Sequence, residues 1–194
     1  MRAARQRDDG DGRDGRDADE ERSRSVATVP FVASVALAAQ REAKADGERL
    51  LLRVCALSLV AGLIHGIVTP DHFAEWWGYG VFFIVAAFAQ AGYGAIPLFR
   101  RMVEDESVLV GWPRSTLRAF LWAGIAGNVA TIGLWLVTRT VGIPFFGPEA
   151  GKVEAVGFWD AASKLVEIAI VVHIWLLLRA LAFEPRRAQR NTEA

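Results

Sequence analysis

Apolar residues are grouped in long runs along this chain, and charged residues are concentrated between the runs and at the two ends. Each of four runs approaches or exceeds the roughly 20 apolar residues that a helix needs to cross a membrane. Strands of a membrane barrel would instead alternate in sidedness over about ten residues, and these runs do not. The pattern therefore predicts an all-α membrane protein, an antiparallel four-helix transmembrane bundle. The predicted spans are Leu50–Val68, Trp77–Phe99, Ser115–Thr138 and Phe158–Phe183.

The segments outside the spans differ in character. Residues 1–26 are rich in Arg, Asp, Glu and Gly and contain almost nothing that could enter a core, so we predict a disordered cytoplasmic tail. Residues 27–46 contain an apolar run that is too short to span. An interfacial helix or linker that ends near Gly47 fits this run better than a cleaved signal peptide, because a proline interrupts it. We assign residues 47–183 to the transmembrane domain and 184–194 to a short cytoplasmic tail.

The distribution of basic residues predicts the orientation. They cluster before the first span, between the second and third spans, and after the fourth, whereas the other side carries only Arg139, Lys152 and Lys164. The positive-inside rule then places both termini in the cytoplasm of a multi-pass protein in the cell (plasma) membrane. Residues 69–76 are expected to form a short outer turn, and residues 139–158 a second outer loop that is rich in proline and glycine.

Composition narrows the function classes. The formal net charge is zero, which gives no reason to expect a nucleic-acid partner. The single cysteine, Cys55, excludes an internal disulfide. The chain contains no Walker loop, GxSxG or HExxH motif, so the sequence favours a non-catalytic protein over an enzyme. The lipid bilayer is the expected partner, and a membrane-protein partner or a homo-oligomer stays open.

Polar residues inside the predicted spans are candidate functional residues, because the bilayer penalises them. Glu167 lies about 13 Å below the predicted outer surface at 1.5 Å per residue, so its carboxylate needs a partner or a proton. Lys164 is the nearest partner, and His65, Gln90 and Asn128 are alternatives from other helices. Gln90 and Asn128 are most simply interhelical hydrogen-bonding groups. The intramembrane polar set is Glu167, Lys164, Asp160, His173, Asn128 and Gln90.

Two histidines and two carboxylates cluster where the first span ends and the second begins: His65, Asp71, His72 and Glu75. Imidazole and carboxylate together suit a first-row divalent metal, so these four residues are the candidate metal ligands and a divalent metal the candidate cofactor. The plainer alternative for the last three is a solvated turn. Haem ligation by His65 and His173 is disfavoured, because about half a bilayer separates them.

Two functions from different classes are consistent with these residues. The first is a non-catalytic accessory or partner-binding component. The second is a binder or conduit for a divalent cation or a proton that uses the outward-facing His/carboxylate cluster, with proton relay from Asp160 to Glu167 as one form. A membrane enzyme, or a haem or quinone protein, is the remaining alternative.

The stretch HGIVTPDHFAEWW at residues 65–77, the loop VGIPFFGPEAG at residues 141–151 and Glu167 in the last span carry a resemblance. The chain resembles a group of small four-span actinobacterial membrane proteins with a His…Pro-Glu-His…Glu-Trp motif and a Gly-Ile-Pro-Phe-Gly-Pro loop. Here Asp71 stands where a glutamate is usual, and Phe146 is an extra residue in the loop. The resemblance covers about residues 50–183; it implies the four-span fold and points to a site without naming a reaction.

The predicted topology can be tested by placing cysteines at Glu75 and Glu149 in a Cys55→Ala background. Both positions should react with membrane-impermeant thiol reagents added outside the cell, because both lie in predicted outer segments. Protection of either cysteine in intact cells, with reaction after permeabilisation, would contradict the topology.

Overall fold

The computed structural model describes residues 14–104, 109, 112–143 and 145–190, with side chains described at 34–103, 109, 112–143 and 145–182. Four helices and no strand occur in these ranges. The helices are α1 (Asp14–Glu75), α2 (Trp77–Glu104), α3 (Arg114–Thr140) and α4 (Phe158–Arg190). Each contains a stretch long and apolar enough to cross a membrane. The predicted four-helix membrane-spanning class is confirmed.

The chain divides into two units, Met1–Lys44 and Ala45–Ala194. In the first unit residues 14–44 are helical, although the sequence predicted disorder as far as residue 26. Residues 1–13 of that predicted tail lie outside the described residues. The helical part is rich in Ala, Glu and Arg, which are strong helix formers, so a helical backbone there needs no apolar face.

Within the second unit α1 continues through two positions where the sequence predicted an end, and both predictions are corrected. At Gly47 the helix continues because an interior glycine costs only about 1 kcal/mol relative to alanine. The outer turn predicted at residues 69–76 is helical as far as Glu75, and only Trp76 separates α1 from α2. Pro70 removes a single backbone donor, while the Thr69 hydroxyl donates to the His65 carbonyl at 2.7 Å and adds a bond to the same turn.

Helices α1 and α2 approach each other at backbone distance. A Cβ added at Gly62 would lie 2.9 Å from the Ala87 carbonyl oxygen and 2.9 Å from the Ala91 nitrogen. A Cβ added at Gly94 would lie 2.6 Å from the Cys55 carbonyl oxygen. Small residues at these positions therefore allow the close approach, as expected for helix packing in membranes.

The bundle has two chemically different ends, named here after one tryptophan at each. At the Trp76 end, the Trp76 ring packs edge-on against Phe146 at 4.8 Å, so the α1–α2 and α3–α4 connections lie at the same end, as predicted. At the Trp112 end, the Arg100 guanidinium lies 4.8 Å from the centre of the Trp112 ring. Between the cluster described below and the Trp112 end lies a mainly apolar layer of buried side chains, in which Ser58 is a buried polar residue. Its apolar side chains are Leu51, Val54, Leu117, Leu121, Ile170, Ile174 and Leu177.

The loop between α3 and α4 is a fixed turn rather than a helix over its described residues, as its composition predicted. Gly142 and Gly151 have φ angles of 72° and 77°, in the left-handed region that favours glycine. The Tyr79 hydroxyl donates to the Phe146 carbonyl at 3.0 Å and attaches the loop to α2. The loop therefore covers the Trp76 end.

Two glycines of α1 provide a matched test of the α1–α2 contact. Gly62→Ala should lower the stability of the bundle by about 1–3 kcal/mol, because its new Cβ meets backbone atoms of α2 that cannot move away cheaply. Gly66→Ala adds the same methyl group where nothing lies within 4 Å, so it should be neutral or stabilising by up to about 1 kcal/mol. Thermal unfolding in detergent micelles measures both. Equal midpoints for the two variants would show that the contact does not exist.

Candidate functional site

The Glu167 carboxylate is the centre of a buried cluster that joins three helices. It is fully buried, and three side chains reach it. Oε2 accepts hydrogen bonds from Lys164 Nζ at 2.6 Å and from Thr131 Oγ1 at 2.9 Å, and Oε1 lies 3.0 Å from His65 Nε2. The predicted need for a partner is met by Lys164 on the same helix and by His65 from α1. Thr131 was not among the candidate residues, because nothing in the sequence ties it to Glu167. We call His65, Thr131, Lys164 and Glu167 the buried cluster.

The hydrogen bonding defines the charge of the buried cluster. A buried ammonium 2.6 Å from a carboxylate oxygen requires that oxygen to be negative, so Lys164 and Glu167 form a neutral ion pair. Glu167 then only accepts hydrogen bonds, and His65 must donate through Nε2–H. In the neutral imidazole this leaves Nδ1 without a proton, and His65 Nδ1 is buried with no hydrogen-bond partner among the described residues. With the imidazole neutral, the buried cluster has zero net charge, and His65 Nδ1 is its one nitrogen without a proton or a partner.

A second polar pair lies against the buried cluster. Gln90 Nε2 donates to Asn128 Oδ1 at 3.0 Å, which gives the predicted interhelical hydrogen bond between α2 and α3. The Asn128 amide also donates to the Gly124 carbonyl at 2.8 Å. Thr131 Oγ1 lies 2.9 Å from the Asn128 carbonyl as well as 2.9 Å from Glu167, and its single hydrogen can serve only one of them at a time. All four helices are therefore connected by polar contacts in this layer.

The structure does not bring the four candidate metal ligands together, and the metal site stays a prediction. His72 Nδ1 pairs with Glu75 Oε2 at 3.1 Å, and its ring stacks on Phe83 at 3.7 Å. The His65 ring contacts the same phenylalanine at 5.7 Å but points its Nε2 at Glu167. Because α1 does not turn at Pro70, the two histidines are separated by about 10 Å of helix rise. The described residues contain no group of three or more His, Cys, Asp or Glu placed to hold a metal ion.

Two other predicted residues lie apart from the buried cluster. His173 is half-buried and donates through Nδ1 to the Ala169 carbonyl of its own helix at 2.7 Å, so its ring is hydrogen-bonded within α4 and not to the buried cluster. Asp160 accepts a hydrogen bond from the Gly157 amide at 2.9 Å and is not bonded to Lys164 or Glu167. A direct relay from Asp160 to Glu167 is therefore not built by hydrogen bonds.

Arg139, at the end of α3, bridges the α3–α4 loop and the start of α4. Its side chain is 10 % exposed; Nη1 contacts the Glu154 carboxylate of the loop, and Nη2 contacts Asp160 of α4 at 2.7 Å. We call these three residues the Arg139 clasp. In the sequence, Arg139 stood out only as one of the basic residues on the predicted outer side. The available signal was an arginine in the last turn of a span, followed by carboxylates within about 20 residues.

The chain matches no protein-family model, no curated protein and no solved structure. The resemblance to small four-span actinobacterial membrane proteins therefore stays a prediction.

A double-mutant cycle tests whether the buried cluster holds a charge pair. Glu167→Gln keeps acceptor and donor atoms but leaves the Lys164 ammonium buried without a counter-charge, which should cost about 3–5 kcal/mol. Adding Lys164→Met removes that charge and should restore most of the lost stability. Thermal unfolding in detergent micelles measures the cycle.

The exposed pair Lys152–Glu149 provides the control for this cycle. Its side chains are 66 % and 46 % exposed, so Glu149→Gln should change stability by less than about 1 kcal/mol. A double variant as unstable as Glu167→Gln alone would show that Lys164 and Glu167 are not an ion pair.

Proposed function

We propose that this multi-pass membrane protein is a non-catalytic component whose buried cluster binds a proton. The observation that carries the proposal is the His65 imidazole, which is 3 % exposed, fixed through Nε2 to Glu167, and left with a free basic Nδ1. Adding one proton to Nδ1 converts the imidazole to imidazolium while the Nε2–H bond to the carboxylate is kept. The charge of the buried cluster then changes from zero to plus one inside the bundle.

The same contacts favour a proton over a metal cation or an organic substrate. Both oxygens of Glu167 are already hydrogen-bonded, so the carboxylate has no oxygen left free to coordinate a metal ion. His65, Lys164 and Glu167 are almost fully buried, so the polar atoms of the site present little surface to an organic ligand. A proton needs neither a coordination shell nor a cavity, and it only requires a basic atom with a changeable state.

A second candidate is an accessory or partner-binding role in which the buried cluster only holds the helices together. The complete hydrogen bonding around Glu167 favours this role, since ionised groups that satisfy one another act as an interhelical tie. We further propose, from the distribution of basic residues, that both termini face the cytoplasm of a cell membrane and that the Trp76 end faces outward.

Imidazole ¹⁵N NMR of the protein in lipid nanodiscs distinguishes the two candidates. The chain has three histidines, so His72→Gln and His173→Gln variants assign the signals without altering the buried cluster. On titration from about pH 9 to about pH 4, His65 should change from the Nε2–H tautomer to the doubly protonated ring. The half-exposed histidines serve as internal controls for the titration. If they titrate while His65 keeps one tautomer throughout, proton binding is excluded and the tie between helices remains as the role of the buried cluster.

A further inference from the structure

We propose that the proton reaches the buried cluster from the Trp76 end only, and that the Arg139 clasp is the gate on that route. This inference rests on the proposed proton binding and adds that the bound proton enters and leaves on one side of the membrane. It follows from the different layers on the two sides of Glu167 and from the contacts of Arg139.

The side that leads to the Trp112 end is closed by apolar side chains. Below Glu167, the next bundle-facing residues of α4 are Ile170, Ile174 and Leu177, and each is fully buried. From Glu167 to Leu177 the helix rises about 15 Å, which is half the hydrocarbon thickness of a bilayer. Leu51 of α1 and Leu121 of α3 belong to the same apolar layer. Its polar groups among the described residues are the hydroxyls of Ser58 and Tyr93; Tyr93 donates to the Phe120 carbonyl at 3.2 Å, and the buried Ser58 Oγ has no hydrogen-bond partner. Neither is hydrogen-bonded to the buried cluster, so no chain of hydrogen bonds crosses this layer within the described residues.

The side that leads to the Trp76 end is polar and becomes gradually more exposed. The exposed fraction of the side chain is zero at Glu167, 10 % at Lys164 one turn nearer the end, and 25 % at Asp160 another turn nearer. Ser163 lies in the same stretch and hydrogen-bonds to the Asp160 carbonyl at 3.0 Å. Only about one helical turn therefore separates the buried cluster from a carboxylate in contact with water.

The Arg139 clasp closes this short polar route. Its guanidinium bridges the loop carboxylate of Glu154 and the α4 carboxylate of Asp160, and so ties the end of α3 to the start of α4. Arg139 Nε is buried and has no partner among the described residues, so this N–H donor of the guanidinium makes no hydrogen bond in the clasp. Two carboxylates against one guanidinium leave the entrance with a net negative charge, which attracts protons from water. Breaking the Asp160 contact would separate α3 from α4 directly above Lys164.

The charged and titratable groups that face this route come from each packed element. They are His65 and the more distant His72–Glu75 pair on α1, Tyr79 on α2, Arg139 on α3, Glu154 on the loop, and Asp160, Lys164 and Glu167 on α4. Among them only Glu154, Asp160, Glu75, His72 and Tyr79 lie toward the Trp76 end with access to water. The described part of α2 presents only uncharged groups, Phe83 and Gln90, to the buried cluster.

Sidedness is tested with proteoliposomes in which the internal and external pH are set independently. Labelling of a Glu149→Cys variant with an impermeant thiol reagent identifies vesicles that expose the Trp76 end. The His65 imidazole signal should follow the pH on the Trp76 side and stay constant when only the other side is acidified. A His65 signal that follows the pH on the Trp112 side, or on both sides equally, overturns one-sided access while leaving proton binding intact. A His65 ring that never protonates overturns the proposed function itself, and this inference with it.

The gate is tested by Arg139→Gln, with Lys152→Gln as a loop control that also removes one positive charge. After a pH jump on the Trp76 side, time-resolved infrared spectroscopy should show protonation at least about tenfold faster in Arg139→Gln than in the parent, because the charge-assisted bonds that close the route are gone. Lys152→Gln should match the parent. Equal rates in all three proteins overturn the gate.

A second readout keeps the test valid if Arg139→Gln destabilises the protein. Arg139→Lys keeps the charge but cannot bridge two carboxylates with a planar fork, so it should also speed access. In a Cys55→Ala background, Ser163→Cys should react with a small impermeant thiol reagent from the Trp76 side about tenfold faster when Arg139 is lysine, whereas Ile174→Cys should stay unreactive from both sides. Reaction at Ile174→Cys from the Trp112 side, or no change at Ser163→Cys, contradicts the proposal.

Discussion

An ionised carboxylate inside a membrane is the constraint on which this structure depends. Glu167 has no contact with water, and an unpaired charge at that depth would cost several kcal/mol. The bundle meets the cost by bringing one donor from each of three helices to the two oxygens. Each donor is useful only if its helix lies at the correct height and rotation. The carboxylate therefore selects one arrangement of α1, α3 and α4 among the many that apolar packing alone would allow.

The other polar contacts differ from this centre in charge and in position. The Gln90–Asn128 hydrogen bond adds α2 to the same layer without any charge, whereas the Arg139 clasp holds charges at the edge of the membrane. Beyond Glu167 in the other direction the bundle is held mainly by apolar packing, together with the Tyr93 hydrogen bond to the Phe120 carbonyl and the Arg101–Glu48 ion pair. The polar contacts made by the buried cluster are therefore concentrated in the half of the bundle that leads to the Trp76 end.

Much of the fold could be predicted because the bilayer imposes simple lengths. The starts of α2 at Trp77 and of α4 at Phe158 are those predicted, and α3 begins one residue early at Arg114. The α1–α2 connection is shorter than the turn predicted at residues 69–76, because the backbone stays helical through Pro70 to Glu75. The pairing of His65 with Glu167 could be named only as one of several alternatives. The 3.6-residue period shows which side of its helix a residue lies on. It does not show which helix packs against that side, or how far the two helices are shifted along the bundle axis.

The separation of the candidate metal ligands has a related reason. Closeness in sequence suggested that His65 and His72 share a site, but on a straight helix seven residues mean two turns of separation. The Arg139 clasp joins residues from α3, a loop and α4, and its members are ordinary surface residues by sequence. These three residues meet only because the α3–α4 loop brings Glu154 back to α3, and the turns at Gly142 and Gly151 set the path of that loop.

The backbone contact at Gly62 and Gly94 has a mechanical consequence. Two helices that touch through main-chain atoms, and are joined by one residue at Trp76, cannot slide or rotate against each other without a collision. The two helices are therefore fixed side by side at these positions. Helices α3 and α4 are joined to them through side chains, by hydrogen bonds and apolar contacts, rather than through main-chain atoms. A change in the relative position of the helices therefore meets less steric resistance between the two pairs than within the first pair.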